Sequence, residues 1–289
     1  MPKKILLVVN PISGDRDKSE LIRQVKTALT ESTELTIYYT TGKNDSSEIK
    51  TEFEQINPDR ILVAGGDGTI KLIAEALKDK KYSLGILPAG SSNGLATDLQ
   101  LPTNNMQEAI EIAIGDKTNS IDALRINDQL SLHISDLGVN AELIERYSDT
   151  LIRGKFGYAL NTIPTLIDSD YPYNFTIEAN NETLEVEAIM IAFANSQQFG
   201  TGAVINPSGK IDDGVFEVLI FKKLDVFEML KTLQKEVQLS SDFVEVIRTK
   251  NVKVTCSKPV SFQIDGEVCG KMTEVVVDIL PKHLTIAVG

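Results

Sequence analysis

Arg60-Ile61-Leu62-Val63-Ala64-Gly65-Gly66-Asp67-Gly68-Thr69-Ile70-Lys71-Leu72-Ile73-Ala74-Glu75-Ala76-Leu77 joins three textures in one run. Arg60 to Ala64 is almost continuously apolar, as a strand covered on both faces is. Three glycines, Asp67 and Thr69 interrupt it. From Ile70 to Leu77 the apolar residues return at helical spacing. A strand, a glycine turn and a helix make up the first part of a βαβ unit.

The same alternation extends to both sides. Upstream, Ile5–Val9 reads as a strand, Ser19–Thr30 as a helix, Leu35–Thr40 as a strand and Ser47–Ile56 as a helix with Ile49, Phe53 and Ile56 on one face. Downstream, Leu84–Leu87 reads as a strand and Met106–Ile114 as an amphipathic helix. Strands alternating with helices predict a doubly wound α/β domain around a mostly parallel sheet, with right-handed crossovers.

Near Ile121 the texture changes. Short strand patterns follow one another: Ala123–Ile126, Ser131–Ser135, Asn174–Ala179, Leu184–Phe193, Gly214–Phe221, Val252–Cys256, Val260–Ile264 and Val275–Ile279. Helical patterns interrupt them around Phe156–Ile167 and Asp225–Glu236. This half reads as antiparallel β, a sandwich or flattened barrel. The expected domains are residues 1–121 and 122–281.

The 289-residue length suits two domains, and 42% apolar with 24% charged residues is ordinary for a globular chain. The formal net charge of -12 argues against nucleic acid as a partner, since phosphate neutralisation needs surplus Lys and Arg. No run approaches the roughly 20 apolar residues that cross a bilayer. The N-terminal apolar run is too short for a signal peptide and leads into Asn10-Pro11. Cys256 and Cys269 read as incidental thiols of a cytoplasmic protein. With only His133 and His283 present, a general base is expected to be a carboxylate.

Three loops carry candidate chemistry: Asn10-Pro11-Ile12-Ser13-Gly14, Gly65-Gly66-Asp67-Gly68-Thr69 and Gly90-Ser91-Ser92-Asn93-Gly94. Each follows a strand of the first half, so all should lie at the carboxyl edge of the sheet, where open α/β folds bind ligands. Glycines let backbone N–H groups turn toward an anion, and a helix start after the second and third loops favours phosphate. Neither a P-loop nor a Rossmann fingerprint occurs. Asp67 would repel a phosphate unless a cation lay between them, which suggests Mg²⁺; a turn aspartate bonding its own backbone is the other reading. Asp265-Gly266-Glu267 follows a strand pattern. Carboxylates at i and i+2 of an extended segment face one side and suit metal binding and proton abstraction, while Asp-Gly is also a hairpin signal.

Taken in order, Asn10-Pro11-x-Ser13-Gly14, Gly65-Gly66-Asp67-Gly68-Thr69, Pro88-Ala89-Gly90-Ser91-x-Asn93, Ile121-Asp122, Asp212-Asp213-Gly214 and Asp265-Gly266-Glu267 resemble the diacylglycerol kinase catalytic-domain family, which includes bacterial lipid kinases and sphingosine kinases. The resemblance spans nearly the whole chain. It implies an NAD kinase/lipid kinase-like fold: an ATP-binding α/β domain and a β-sandwich domain, the active site between them, and a final strand returning to the first domain at about 282–289. It implies ATP contacts from Asn10, Pro11, Ile12, Ser13, Gly14, Thr40, Thr41, Gly65, Gly66, Asp67, Gly68, Thr69, Ser91 and Asn93. Glu267 corresponds to the family's proton acceptor, with Asp265, Asp67 and Asp122 in the acidic network around Mg²⁺. Lys210, Asp213 and Val215 resemble a structural Mg²⁺ site, with Asp213 giving its side chain and the other two main-chain carbonyls.

The chain departs from the family pattern at four places. Lys71-Leu72 stands where Asn-Glu is common, Ser91 where Thr is, Gly94 where Asp is, and Asn140 where Asp is. Gly-Ser-Ser-Asn-Gly-Leu-Ala is closer to the sphingosine-kinase form. The expected activity is phosphorylation of a lipid hydroxyl, diacylglycerol or sphingoid-like, at a membrane surface, and a homodimer is compatible with it. An NAD kinase-like phosphotransferase and a non-catalytic nucleotide-binding regulator remain the alternatives. Tyr147–Tyr158, with Leu151, Ile152 and Phe156 beside Arg153 and Lys155, reads either as a bilayer contact or as a buried helix start.

Overall fold

The computed structural model describes residues 3–15, 17–147, 171–199, 203–225, 228, 231–232 and 239–289. The helical patterns at Phe156–Ile167 and most of Asp225–Glu236 fall outside these residues, as does most of Tyr147–Tyr158. The chain forms two compact units, Met1–Ile121 with Lys282–Gly289, and Asp122–Pro281.

The first unit is α/β. Strand β1 (Lys4–Val9) lies parallel between β2 (Glu34–Tyr39) and β3 (Arg60–Gly65), and β3 pairs in parallel with β4 (Ser83–Pro88). The end of the last strand, β16 (Glu267–Ala287), closes the sheet beside β4 through Thr285 opposite Ser83 and Ile286 opposite Leu84. Ile5, Leu7 and Val9 share a core with Leu21 and Val25 of α1 (Ser19–Ala28) and with Ile110 and Ala113 of α5 (Met106–Ile114). Leu6 and Val8 alternate with them and are equally buried, as strands covered on both sides require. Helices α2 (Asp45–Ile56) and α3 (Asp67–Ala76) pack on each other, with Ile49, Phe53, Ile70 and Ile73 buried. Helix α5 starts at Asn105, whose side chain accepts the Glu108 N–H while donating to the Glu108 carboxylate, a reciprocal cap.

The strand order places the site. From β1 the chain moves to β2 on one side, then crosses to β3 on the other, so the crevice between the ends of β1 and β3 is a topological switch point. The loops after these two strands are the first two glycine loops.

The second unit is antiparallel β, as expected of a sandwich domain. Strand β7 (Ile134–Gly138) pairs with β10 (Met190–Ala194) and β15 (Asn251–Ile264). Beyond β10 lie β13 (Phe216–Phe221) and β14 (Val244–Thr249). Strand β15 also pairs with β16 and with β8 (Tyr173–Ala179), which pairs with β9 (Glu182–Ala188). Strands β5 (Thr118–Ile126) and β6 (Gln129–Ser131) form a hairpin. The short elements are α4 (Gly94–Asp98), α6 (Val139–Tyr147), β11 (Gln198–Phe199) and β12 (Ala203–Val204). Phe175, Phe193, Phe216 and Phe262 fill the core.

Four expected strands are divided differently, two split and two joined. Ser131–Ser135 splits into β6 and β7 around Leu132 and His133, whose N–H groups go to a side chain. Leu184–Phe193 splits into β9 and β10, which pair with different neighbours. The runs Val252–Cys256 and Val260–Ile264 are one strand, β15, with a register break between Thr255 and Val260. Pro259 lies in the break, and proline has no N–H for a ladder. Among the described residues no helix is long and apolar enough to cross a membrane.

Candidate active site

In the first unit the three glycine loops meet. A Cβ built on Gly90 would lie 2.4 Å from the Gly66 Cα, so the second and third loops touch backbone to backbone. Gly14, at φ +63°, approaches the Ala89 carbonyl so closely that a Cβ would lie 2.7 Å from it. The Ser13 hydroxyl reaches the carbonyls of Asn10 and Ala89, both at 3.0 Å. The Asn10 amide donates to the buried Thr69 hydroxyl at 3.2 Å. These contacts fix Asn10, Ser13 and Thr69 as the posts of one cradle. Around Gly68, in the first turn of α3, a Cβ would meet nothing within 4 Å. The cradle is therefore open where a helix N-terminus and a glycine backbone can face an anion. Ile12 stands at the tip of the first loop, 82% exposed.

Asp67 corrects part of the sequence reading. Its carboxylate accepts the N–H groups of Gly94 and Leu95 at 2.8 and 3.0 Å. It caps α4, so the start of that helix is not offered to a phosphate, and the carboxylate has charge compensation inside the protein. A carboxylate has roughly four lone-pair sites, so Asp67 can still donate to a metal. Asn93 is also occupied internally: its side chain accepts the Gly90 N–H at 2.8 Å and donates to the Gly90 carbonyl at 3.0 Å, holding the third loop closed. Ser91 is exposed at that loop's tip.

Thr40 follows β2, its N–H donating to the Val9 carbonyl at 2.9 Å. Thr41 and Gly42 donate their N–H groups to Asp45 at 2.8 and 2.7 Å, and the Tyr38 hydroxyl joins at 2.7 Å. Burial would raise the Asp45 carboxyl, but these donors outweigh it and hold the group below the usual range. The Thr40–Thr41 turn is thus pinned next to the first loop by a charged carboxylate.

In the second unit Asp265 and Glu267 are not neighbours on an extended strand. Asp265 and Gly266 both have positive φ, +51° and +88°, and form the two-residue turn of the β15–β16 hairpin, with Ile264 opposite Glu267. Asp265 accepts the Ser131 hydroxyl at 2.9 Å and the N–H groups of Leu132 and His133 at 3.0 and 2.9 Å. It ties the turn to the β6–β7 connection. Glu267 begins β16, exposed. The turn thus separates the two residues: Asp265 is tied to residues 131–133, and Glu267 begins the next strand as an exposed residue.

Asp122 is fully buried and accepts the Gly214 N–H at 2.6 Å, while its own N–H donates to Ile211. It organises the Lys210–Val215 loop from below. Asp213 accepts the Val215 N–H at 3.3 Å and the Arg248 guanidinium at 2.5 Å, and Arg248 also meets buried Glu217 at 3.0 Å. Arg248 thus supplies part of the positive charge a metal would bring, and magnesium on Asp213 would share the carboxylate with the guanidinium.

One group stands out that the sequence reading did not single out. Asp136 on β7 is fully buried. Its Oδ2 accepts from Gln263 at 2.5 Å and from Asn140 at 2.6 Å, while its Oδ1 has no hydrogen-bond partner among the described residues. Burial pushes its carboxyl up to about 7, against the lowering effect of the Gln263 and Asn140 side chains and the Ala141 N–H.

Comparison with known proteins fits both units. Residues 4–126 match the diacylglycerol kinase catalytic domain, and residues 134–288 match the YegS C-terminal NAD kinase beta sandwich-like domain. The chain belongs to the diacylglycerol kinase catalytic-domain family of lipid kinases. Within this lipid kinase family, a diacylglycerol kinase of Bacillus subtilis (strain 168) is 24% identical, over 98% of this chain and 96% of its own. A YegS-like lipid kinase of Klebsiella pneumoniae (strain 342) is 26% identical, over 91% of this chain and 88% of its own. A solved structure of a diacylglycerol kinase from Bacillus anthracis str. Sterne superposes with a TM-score of 0.78 at 20% identity, covering 99% of this chain and 97% of that one, which establishes the shared fold. Membership in a kinase family implies ATP as the phosphoryl donor.

Proposed function

We propose that this protein transfers the γ-phosphoryl group of ATP to the hydroxyl of a lipid, diacylglycerol or a sphingoid-like acceptor. The observation that carries the reading is the closure of three glycine loops into one cradle at the switch point of the sheet, open at Gly68 and the start of α3. Asn10, Pro11, Ile12, Ser13, Gly14, Thr40, Thr41, Gly65, Gly66, Asp67, Gly68, Thr69, Ser91 and Asn93 bind the nucleotide, with Asn93 acting by closing its loop. Residues 1–121 with 282–289 serve the nucleotide, and residues 122–281 serve the lipid.

Glu267 takes the proton of the attacking hydroxyl. Its exposure at the start of β16 and the anchoring of its turn by Asp265 support that role. Phosphoryl transfer asks for little beyond positioning, charge neutralisation and such a base. Asp67 is the acidic residue of the cradle whose oxygens suit magnesium, which when bound would neutralise the charge of the β- and γ-phosphates. Asp122, fully buried against Gly214, and Asp265, tied to residues 131–133, hold their own loops, and among the described residues no three such side chains cluster as a metal site. Lys210, Asp213 and Val215 would hold a structural magnesium, with the Asp213 carboxylate shared with Arg248. The protein would meet its acceptor at the cytoplasmic surface of a membrane.

The test is product analysis. Purified protein with magnesium and γ-labelled ATP is offered an extracted lipid mixture and, separately, NAD. Label in a lipid product supports the reading. Label in NAD alone would make the protein an NAD kinase, and label in neither would leave a nucleotide-binding regulator.

A further inference from the structure

Asp136 sits where a polar chain begins that ends at the turn carrying Glu267. The Gln263 Nε2 donates to Asp136 Oδ2 at 2.5 Å, and the Gln263 Oε1 accepts the Gly266 N–H at 2.6 Å. Gly266 is the second residue of the turn, and Glu267 follows it. Asn140 donates to the same Asp136 oxygen from the first turns of α6. All of these residues lie in the second unit.

Charge on Asp136 fixes which way the Gln263 amide points. With the carboxylate ionised, only the NH₂ end of Gln263 can face it, so the carbonyl end is left for the Gly266 N–H. A flipped amide would set oxygen against carboxylate and nitrogen against N–H, losing both bonds. With the carboxyl neutral, its O–H can donate to the amide oxygen, so the flipped orientation costs less and the observed one is held by the Gly266 N–H and the Ile134 carbonyl, 3.5 Å from Nε2. In the flipped orientation the Gly266 N–H has no acceptor on Gln263.

We propose that Asp136 is a positioning residue whose ionised carboxylate, acting through Gln263 and Gly266, holds the Asp265–Glu267 turn in its working conformation. Neutralising it frees the amide and loosens the turn. The consequence for turnover rests on Glu267 being the base; the hold on the turn does not.

The groups around Asp136 leave it as the switch. From β10, Ala192 is its register partner, and from β15, Gln263. Neither β10 nor the Val260–Ile264 stretch of β15 carries a titratable side chain. Glu142, the titratable group of α6 whose side chain is described, bonds the Tyr173 hydroxyl. His133 contacts the Ser196 hydroxyl at 3.4 Å, and Asp265 faces residues 131–133. Burial, opposed by the Gln263, Asn140 and Ala141 donors, leaves the Asp136 carboxyl raised to about 7, so the change falls between about pH 6 and pH 8.

The test reads hydrogen exchange at the Gly266 amide in the intact protein from pH 5.5 to 8.5, corrected for intrinsic rate, beside kinase turnover over the same range. The Gln263–Asp136 bond is the charge-assisted one, roughly twice as strong when ionised, and it fixes the acceptor of the Gly266 N–H, so protection at Gly266 should rise roughly fivefold as the pH passes through 7. Asp136→Asn presents a neutral amide at every pH, so its protection should stay at the low-pH level with no rise. Asn140→Asp puts a second carboxylate beside the first, retains a proton on the pair to higher pH, and should move the rise upward. It also serves if Asp136→Asn does not fold. Equal protection at all pH values in the native protein, a rise that persists in Asp136→Asn, or an unmoved midpoint in Asn140→Asp would overturn the proposal. If Glu267→Gln turns over normally, the base assignment falls while the exchange result stands.

Discussion

Replacing Gly90 with alanine tests whether the three loops form one cradle. The new Cβ would lie 2.4 Å from the Gly66 Cα and 2.9 Å from the Gly66 nitrogen, against 3.4–4 Å for ordinary contact. Both obstacles are backbone, so no rotamer relieves them. The second and third loops must part by about 1 Å, the difference between that approach and an ordinary contact. Overpacking of this kind costs about 1–3 kcal/mol, which for a chain of this size lowers Tm by roughly 2–10 °C. A misplacement of about 1 Å at reacting groups can cost about 10²-fold in rate. Gly68→Ala is the contrast. Its Cβ meets nothing within 4 Å and it lies inside α3, where alanine is favoured over glycine by about 1 kcal/mol. Thermal unfolding and calorimetric titration with Mg-ATP, run on both variants, separate the effects. Gly90→Ala should lose stability and nucleotide affinity together, whereas Gly68→Ala should keep or gain stability and lose affinity only if the backbone there meets phosphate. Unchanged Tm and affinity in Gly90→Ala would refute the contact.

Two further outcomes follow from buried charge. Asp136 binds its proton more tightly in the folded protein than its ordinary 3.8, so between about pH 4 and pH 7 the folded state holds more protons than the unfolded one, and this group makes stability fall as pH rises through that window. Asp136→Asn should therefore gain Tm relative to the native protein at pH 8 and little at pH 4; an equal difference at both would contradict the assignment. Arg248→Met leaves buried Glu217 and Asp213 without their cation, a loss of the order of 3 kcal/mol for the buried partner. If magnesium and Arg248 compete for Asp213, added magnesium should restore part of that variant's Tm and barely move the native protein's. A magnesium response equal in both proteins would refute the competition.

The strands, the α/β class and the glycine loops were legible because each is local: an apolar run, a turn chemistry, a helical period. Asp67 was legible as unusual, but its cap on α4 was not, since Gly94 and Leu95 lie 27 and 28 residues on and meet it only through the packing of two loops. At Asp265-Gly266-Glu267 the Asp-Gly hairpin signal was borne out, and the same-face reading of the two carboxylates was not. Alternation holds only along an extended chain, and positive φ at Asp265 and Gly266 turns the chain between them. Asp136 left no signal beyond an acidic residue in an apolar run. Its partner Gln263 lies 127 residues away and is supplied by antiparallel register.

Glu267→Gln, measured for lipid phosphorylation and for Mg-ATP affinity in one preparation, is the most direct test. Glutamine keeps the shape and removes the proton acceptor. Turnover should fall by about 10²-fold or more with nucleotide affinity nearly unchanged. Turnover at the native rate would contradict the base assignment.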